Sequence, residues 1–415
     1  MNKQYHISVI GIGYVGLPLA LAFSKHYPVV GFDIKQDRIN ELKNNIDSNL
    51  EYNFVSNDNL FFSNTIHDIQ SSNIYIVTVP TPIKEDNSPD LTYLESASRM
   101  IGSYINKGDI IIYESTVYPG VTEDFCVPIL EKESKLIFNH DFFCGYSPER
   151  ISPGRNQYKL NNIVKITSGS TEEIAEEIDQ LYKKIIKKGT YKTSSIKIAE
   201  ASKIIENIQR DVNIAFMNEI AMMFDKMNIN TEEVLLAART KWNFLNFKPG
   251  LVGGHCIGVD PYYLACQAEN FDFKADLILK SREINDNVTD FIIFKTKQLL
   301  EKHQKKTNNP KILILGYTFK ENCVDTRNTR IKDLVLGLET NSFTVSVYDP
   351  FIDSNLDTNF VRNPLECEEK YDAIIVAVAH NEFKMYSKAD FQAISEGKLV
   401  LLDIKGLYNY STWKL

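Results

Sequence analysis

Cys256 stands in the run Gly253-Gly254-His255-Cys256-Ile257-Gly258-Val259-Asp260. A cysteine thiolate is a strong nucleophile toward a carbonyl carbon. Glycines on both sides let a ligand come close to the backbone, and Asp260 follows four residues later. Outside such a setting, a lone cysteine is more often a small buried hydrophobe. Lys203 and Asn207 stand at i and i+4 in a helical stretch, so a cation and an amide donor share one face. Taken alone, that pair reads equally as a solvated helix face. The chain also begins with a dinucleotide-binding pattern. A thiol of this kind beside a hydride acceptor points to an oxidation that passes through a covalent sulfur adduct.

The dinucleotide pattern is Gly11-Ile12-Gly13-Tyr14-Val15-Gly16. It follows a β-rich run at residues 6–10, opens a helical stretch from Leu17 to His26, and meets Asp33 about 20 positions on. Gly11 permits the tight turn, Gly13 lets a pyrophosphate approach, and Gly16 lets the helix pack on the strand. The helix N-terminus offers free N–H groups to the phosphates. Asp33 accepts from the adenosine ribose hydroxyls and repels a 2′-phosphate, which favours NAD over NADP. Tyr14, Val15 and Arg38 count with the glycines as cofactor contacts. Thr81 and Thr116 follow two further strands, where ligands bind in such sheets. Either threonine could instead be a cap or a turn residue.

Strands are expected at 29–32, 74–79, 109–114, 142–146 and 163–166, with helices at 37–45 and 91–105 between them. Alternation of this kind makes a parallel α/β sheet. From Ile196 to Asn228 there is no Gly or Pro, and apolar residues recur at spacings of three, four and seven. One long helix is expected there, capped by Thr193, Ser194 or Ser195. More helix is expected at 231–239 and 276–302, then a polar linker across 302–310. Strands at 311–315, 344–348, 373–379 and 399–403, a helix at 331–338 and a turn at Gly316 form a second, smaller α/β unit. The expected fold is therefore α/β, with two Rossmann-like doubly wound parallel-sheet domains joined by a long central helix in a helical middle domain. The expected domains are 1–194, 195–302 and 303–415.

The 415 residues carry a formal net charge of −8, which argues against nucleic acid as a partner. None of the six cysteines forms C-x-x-C or a zinc-spaced set with histidine, so no metal is expected. No apolar run reaches the ~18 residues of a membrane span. Glycines and Pro18 break the apolar stretch near the N-terminus, which disfavours a signal peptide. A cytoplasmic protein is expected.

In their order along the whole chain, these motifs resemble the UDP-glucose/GDP-mannose dehydrogenases. The resemblance rests on Gly11–Gly16, Ser115-Thr116-Val117, Ser147-Pro148-Glu149-Arg150, Ala199-Glu200 with Lys203 and Asn207, the Cys256 segment, Phe319-Lys320 and Asp325-Thr326-Arg327. It implies a four-electron oxidation of a nucleotide sugar at C6, from alcohol to carboxylate, with two NAD+. The Cys256 thiolate would add to an intermediate aldehyde, and the resulting thioester would be hydrolysed. Lys203 and Asn207 would stabilise the C6 oxyanions. Asp260 would orient Lys203 or relay protons, and Thr116 and Glu149 would position the water.

Ser-Pro-Glu-Arg followed by Pro153-Gly154 is similar to the branch acting on N-acetylated sugars. The stretches 241–250 and 259–263 point the same way, to UDP-N-acetylglucosamine or UDP-N-acetylgalactosamine 6-dehydrogenases of surface-polysaccharide pathways such as capsule or O-antigen. UDP-glucose or GDP-mannose is the alternative substrate. Many UDP-glucose enzymes have a second glutamate where Pro153 stands, so hydrolysis would rest on Glu149, Thr116 and Asp260. The loop containing Phe244, Asn246, Phe247 and Gly250 leads into Gly253 and could wrap a UDP-sugar, or be an ordinary surface loop. Glu149, Arg150, Lys203, Asn207 and Phe319 count among the sugar contacts. Lys320 and Arg327 could neutralise a diphosphate, and Arg327 is also counted with the NAD contacts. By resemblance, Arg239 reaches a neighbouring subunit's sugar site, and the long helix is the core of a homodimer.

Overall fold

The structure is a computed structural model that describes residues 4–47, 54–151, 160–254, 257–305, 308–353 and 359–415. Cys256, Pro153 and Gly154 lie outside the described residues. The chain packs as two compact units: Met1–Asn207 with Tyr262–Lys274, and Ile208–Pro261 with Ala275–Leu415.

The first unit holds an eight-stranded sheet in the order β3-β2-β1-β4-β5-β6-β7-β8. Its strands are β1 (Ile7–Ile10), β2 (Val29–Phe32), β3 (Leu60–Ser63), β4 (Ile74–Val77), β5 (Ile110–Tyr113), β6 (Phe143–Tyr146), β7 (Lys165–Gly169) and β8 (Thr190–Lys192). Every residue of β1, β4 and β5 is buried, so these strands read as continuous apolar runs without alternation. The helices are α1 (Gly16–Phe23), α2 (Gln36–Lys43), α3 (Thr92–Gly102), α4 (Val127–Ser134) and α5 (Glu172–Lys183). The strand order reverses between β1 and β4, the switch point at which such sheets bind dinucleotides. One pairing departs from the expected all-parallel sheet: β6 and β7 are antiparallel, with Tyr146 opposite Ser168.

Then come α6 (Ile196–Met227), α7 (Thr231–Ala238), α8 (Asp260–Glu269) and α9 (Asp276–Lys302). Of the three candidate caps of α6, Ser195 is the one whose hydroxyl accepts from a first-turn N–H, that of Ile198 at 3.3 Å. The second unit contains a parallel sheet in the order β10-β9-β11-β12-β13. These strands are β9 (Lys311–Leu315), β10 (Thr344–Tyr348), β11 (Ala373–Val376), β12 (Leu401–Asp403) and β13 (Trp413–Lys414). Helices α10 (Arg330–Thr340) and α11 (Lys388–Ala393) accompany it. Val288 and Ile292 of α9 and Leu334 and Leu338 of α10 share one buried cluster with Ile312 and Ile314 of β9.

Candidate active site and nucleotide sites

The β1–α1 turn has the form a pyrophosphate needs. Gly11 takes φ +92°, a backbone conformation that L side chains rarely adopt. A Cβ on Gly16 would stand 2.0 Å from the Gly11 carbonyl oxygen, so only glycine fits there. A Cβ on Gly13 would meet no protein atom within 4 Å, which leaves space for a ligand against the backbone. No side chain caps the N-terminus of α1, so its N–H groups are not taken by a cap. Tyr14 and Val15 lie half-buried in this turn. The Asp33 carboxylate accepts from Ile12 N–H and Lys35 N–H, both at 2.9 Å, and so fixes the turn as well as standing at the ribose position. Arg38 has a structural role: its guanidinium donates to the Ile12 carbonyl at 2.9 Å and pairs with Asp47 at 2.8 Å. These features fit NAD.

Two carboxyl-end loops are tied together beside this turn. Thr81 Oγ1 donates to the Thr116 carbonyl at 2.7 Å, and Ser115 Oγ donates to the Val79 carbonyl at 2.6 Å. From α8, Tyr263 Oη donates to the Pro82 carbonyl at 2.9 Å and Gln267 to the Pro119 carbonyl at 3.0 Å.

The same unit brings the Ser147–Arg150 segment to α6. Glu149 and Lys203 are both buried. Burial raises the Glu149 carboxyl above its ordinary range, and the charge of Lys203, with that of Lys165, draws it back. One oxygen of Glu149 accepts from Ile151 N–H. Asn207, one turn after Lys203, is half-buried. Arg150, expected on the sugar, is instead paired with Glu206 of α6 at 2.6 Å and donates to the Val164 carbonyl at 2.9 Å.

In the second unit, Gly253-Gly254 is seated on the loop after β9. Gly254 N–H donates to the Asn328 carbonyl at 3.0 Å. A Cβ on Gly253 would stand 2.7 Å from that oxygen, and one on Gly254 (φ +92°) would stand 2.9 Å from the Phe319 ring. Lys320 Nζ lies 5.2 Å from the Phe319 ring centre. Arg327 is exposed and forms an ion pair with Asp325 at 2.6 Å. Asn218 of α6 clamps Gly250, accepting its N–H at 2.7 Å and donating to its carbonyl at 3.0 Å. The loop before it is open: Asn246 is exposed, Phe244 and Phe247 are half-buried, and Trp242 is 92% exposed. Arg239 reaches the Phe247 carbonyl of its own loop at 3.5 Å. Asp260 opens α8 and is buried.

Several polar groups at these places were not singled out from the sequence. Asp349, at the end of β10, repeats the part of Asp33. Its Oδ2 accepts from Tyr317 N–H at 2.6 Å and its Oδ1 from Phe351 N–H at 2.9 Å, just after the Gly316 turn at φ +95°. His380 Nδ1 accepts from Asn322 N–H at 2.9 Å, which leaves Nε2–H to donate to Asp349 at 3.0 Å. An acidic residue closing a strand was the available signal. Lys405 Nζ stands 3.7 Å from where a Cβ on Gly250 would lie; burial lowers its pKa and the Glu321 charge opposes that. In the first unit, buried Lys165 interrupts the short apolar run Ile163-Val164-Lys165-Ile166 at the start of β7, a signal of a partner held inside. Among the described residues no cluster of His, Cys, Asp and Glu could hold a metal ion, and no helix is long and apolar enough to cross a membrane.

Family models match nearly end to end: the UDP-glucose/GDP-mannose dehydrogenase NAD binding domain over residues 5–186, the central domain over 197–287 and the UDP binding domain over 313–410. The chain belongs to the UDP-glucose/GDP-mannose dehydrogenase family. NAD is its cofactor and a UDP-sugar its substrate class. It is 49% identical to the UDP-N-acetyl-D-glucosamine 6-dehydrogenase of Pseudomonas aeruginosa over 98% of this chain and 97% of the relative. It is 45% identical to Protein CapL of Staphylococcus aureus over 99% of this chain and 97% of that one. The solved UDP-D-ManNAc dehydrogenase of Pyrococcus horikoshii superposes with a TM-score of 0.88 at 30% identity, covering 99% of this chain and 98% of that one.

Proposed function

We propose that this chain oxidises the C6 hydroxymethyl of a UDP-N-acetylhexosamine, UDP-N-acetylglucosamine or its C4 epimer, to the uronic acid. The observation that carries this reading is near-half identity, over essentially the full length, to a UDP-N-acetyl-D-glucosamine 6-dehydrogenase. NAD, when bound, supplies the hydride acceptor for both oxidations. Its sites are the Gly11–Gly16 turn and Asp33, with Thr81 and Thr116 alongside.

The protein's own groups do the rest. Lys203 and Asn207 stabilise negative charge developing on the C6 oxygen. The Cys256 thiolate attacks the C6 aldehyde to give a thiohemiacetal, whose oxidation gives a thioester. Water then cleaves the thioester, positioned by Glu149 and Thr116, with Asp260 relaying protons. The loop carrying Phe244, Asn246, Phe247 and Gly250, together with Gly253, Phe319 and Lys320, holds the UDP-sugar, and Arg327 adds positive charge for a diphosphate. Arg150 acts indirectly, since its pairing with Glu206 fastens the Glu149 segment to α6.

The functional division is 1–194 for NAD, 195–302 for the helical centre and 303–415 for UDP. The setting is the cytoplasm and the product feeds surface polysaccharide, a reading supported by the similarity to CapL. The active form is a homodimer built on α6, supported by the apolar residues that helix leaves exposed: Ile198, Ile205, Phe216, Met223 and Met227. Their spacing of four, seven and eleven puts them on one stripe. Initial rates with UDP-N-acetylglucosamine, UDP-N-acetylgalactosamine and UDP-glucose test the substrate. Either N-acetylated sugar is expected to be oxidised fastest. Preference for UDP-glucose would contradict the reading.

A further inference from the structure

Lys165 lies at the start of β7 and is 2% exposed. An ammonium has three N–H donors, and all three are used. One goes to Glu114 Oε2, one to the Pro148 carbonyl at 2.8 Å and one to the Ser147 carbonyl at 3.2 Å. The other Glu114 oxygen accepts from Tyr182 Oη of α5. Glu114, Lys165 and Tyr182 are all buried. Such a pair is costly to desolvate and is weak evidence for stability in itself. What it does specifically is hold two consecutive carbonyls of the segment that ends at Glu149. The same segment is tied from β5 by Ser147 N–H to the Tyr113 carbonyl at 2.9 Å, and to β7 by Ser147 Oγ to the Ile166 carbonyl at 2.7 Å. The antiparallel turn of β7 against β6 brings a β7 lysine to this place.

We propose that Lys165 is a positioning residue for the oxidation at C6: with Glu114 it holds the Ser147–Pro148 carbonyls, and through them the Glu149 side chain, in the geometry the reaction uses. The claim rests on the role given to Glu149 above. The charged groups facing Glu149 are Lys203 from α6, Lys165 from β7 and Glu114 from the end of β5. The ion pair of Arg150 with Glu206 adjoins them. Removing Lys165 takes away a positive charge that favours the Glu149 carboxylate, whereas neutralising Glu114 takes away a negative charge that opposes it. A purely structural role would not produce shifts of opposite sign.

The test uses the full chain with Lys165→Met and Glu114→Gln, measuring steady-state kinetics on UDP-N-acetylglucosamine across pH. Lys165→Met is expected to lower kcat by about tenfold or more, since a 1 Å misplacement can cost about a hundredfold. The KM for the sugar is expected to stay nearly constant. The acidic limb of the kcat profile is expected to move to higher pH by about one unit with Lys165→Met, and to lower pH with Glu114→Gln. Glu114→Gln keeps one oxygen to accept from Lys165, and its amide N–H2 can donate to the Tyr182 hydroxyl, so it still decides the matter through the direction of its shift if Lys165→Met fails to fold. Limbs that coincide with the wild type, or that move in the same direction in both folded variants, would overturn the proposal. Turnover by the wild type in the same assay tests the assigned activity separately.

Discussion

Glu200 sets burial against hydrogen bonding. It has no exposure, and its oxygens accept from Gly120 N–H at 2.6 Å and Thr122 N–H at 2.9 Å. Burial pushes its carboxyl up to about 7, from an ordinary 4.5, and the hydrogen bonds from Thr122 and Gly120 oppose that rise. The folded chain therefore keeps a proton here that the unfolded chain has already lost. The contribution of Glu200 to stability falls as pH rises from about 4.5 to about 7, by about 3 kcal/mol in all. Glu200→Gln does not titrate. Its melting temperature relative to the wild type is expected to rise between about pH 5 and pH 8; an offset that does not change with pH would contradict this. The sequence showed Glu200 only as part of a motif. Its partners stand 78 and 80 residues earlier in the chain, and no local pattern encodes such a contact. Lys165 was half-legible in the same sense: a charge inside an apolar run announces a buried partner, but Glu114 lies 51 residues away. Arg38 and Arg150, expected on ligands, are tied to Asp47 and Glu206, partners that no local sequence pattern encodes.

At the level of elements, the β1–α1 turn separates two uses of glycine. Gly16 permits packing and Gly13 leaves room. Gly16→Ala would place a methyl group against the Gly11 carbonyl and is expected to lower the melting temperature, by several degrees for each kcal/mol of strain. Gly13→Ala is expected to keep the melting temperature of the free protein while weakening NAD binding, as measured by calorimetry. Equal effects on stability from the two substitutions would contradict this assignment. The bounds of β2, β9, β10 and α9 match those expected from periodicity, because each is a strongly patterned run between clear breakers. The four residues of β3, the three of β8 and the two of β13 are not legible in the sequence, since short edge strands carry almost no pattern. Nor is the antiparallel pairing of β6 with β7, because strand direction is set by the path of the chain and not by the composition of the strand.

For the whole molecule, both doubly wound sheets were legible from alternating strands and helices, and so was the helix that follows the first sheet. The packing into two units was not, because α6 reads as one uninterrupted period while the division falls at Asn207 within it. The exposed stripe on that helix has a consequence for assembly. Phe216 is 52% and Met223 48% exposed, and both lie on the face assigned to the proposed dimer. Replacing both with Asp is expected to convert a dimer to a folded monomer in sedimentation velocity. A wild-type monomer, or a variant that remains dimeric, would contradict the proposed interface. The reaction itself is read from NADH formed per UDP-N-acetylglucosamine consumed, by the wild type and by Cys256→Ser. Two NADH per sugar are expected for the wild type, and no net formation of the acid by Cys256→Ser. One NADH per sugar, or full turnover to the acid by Cys256→Ser, would contradict this.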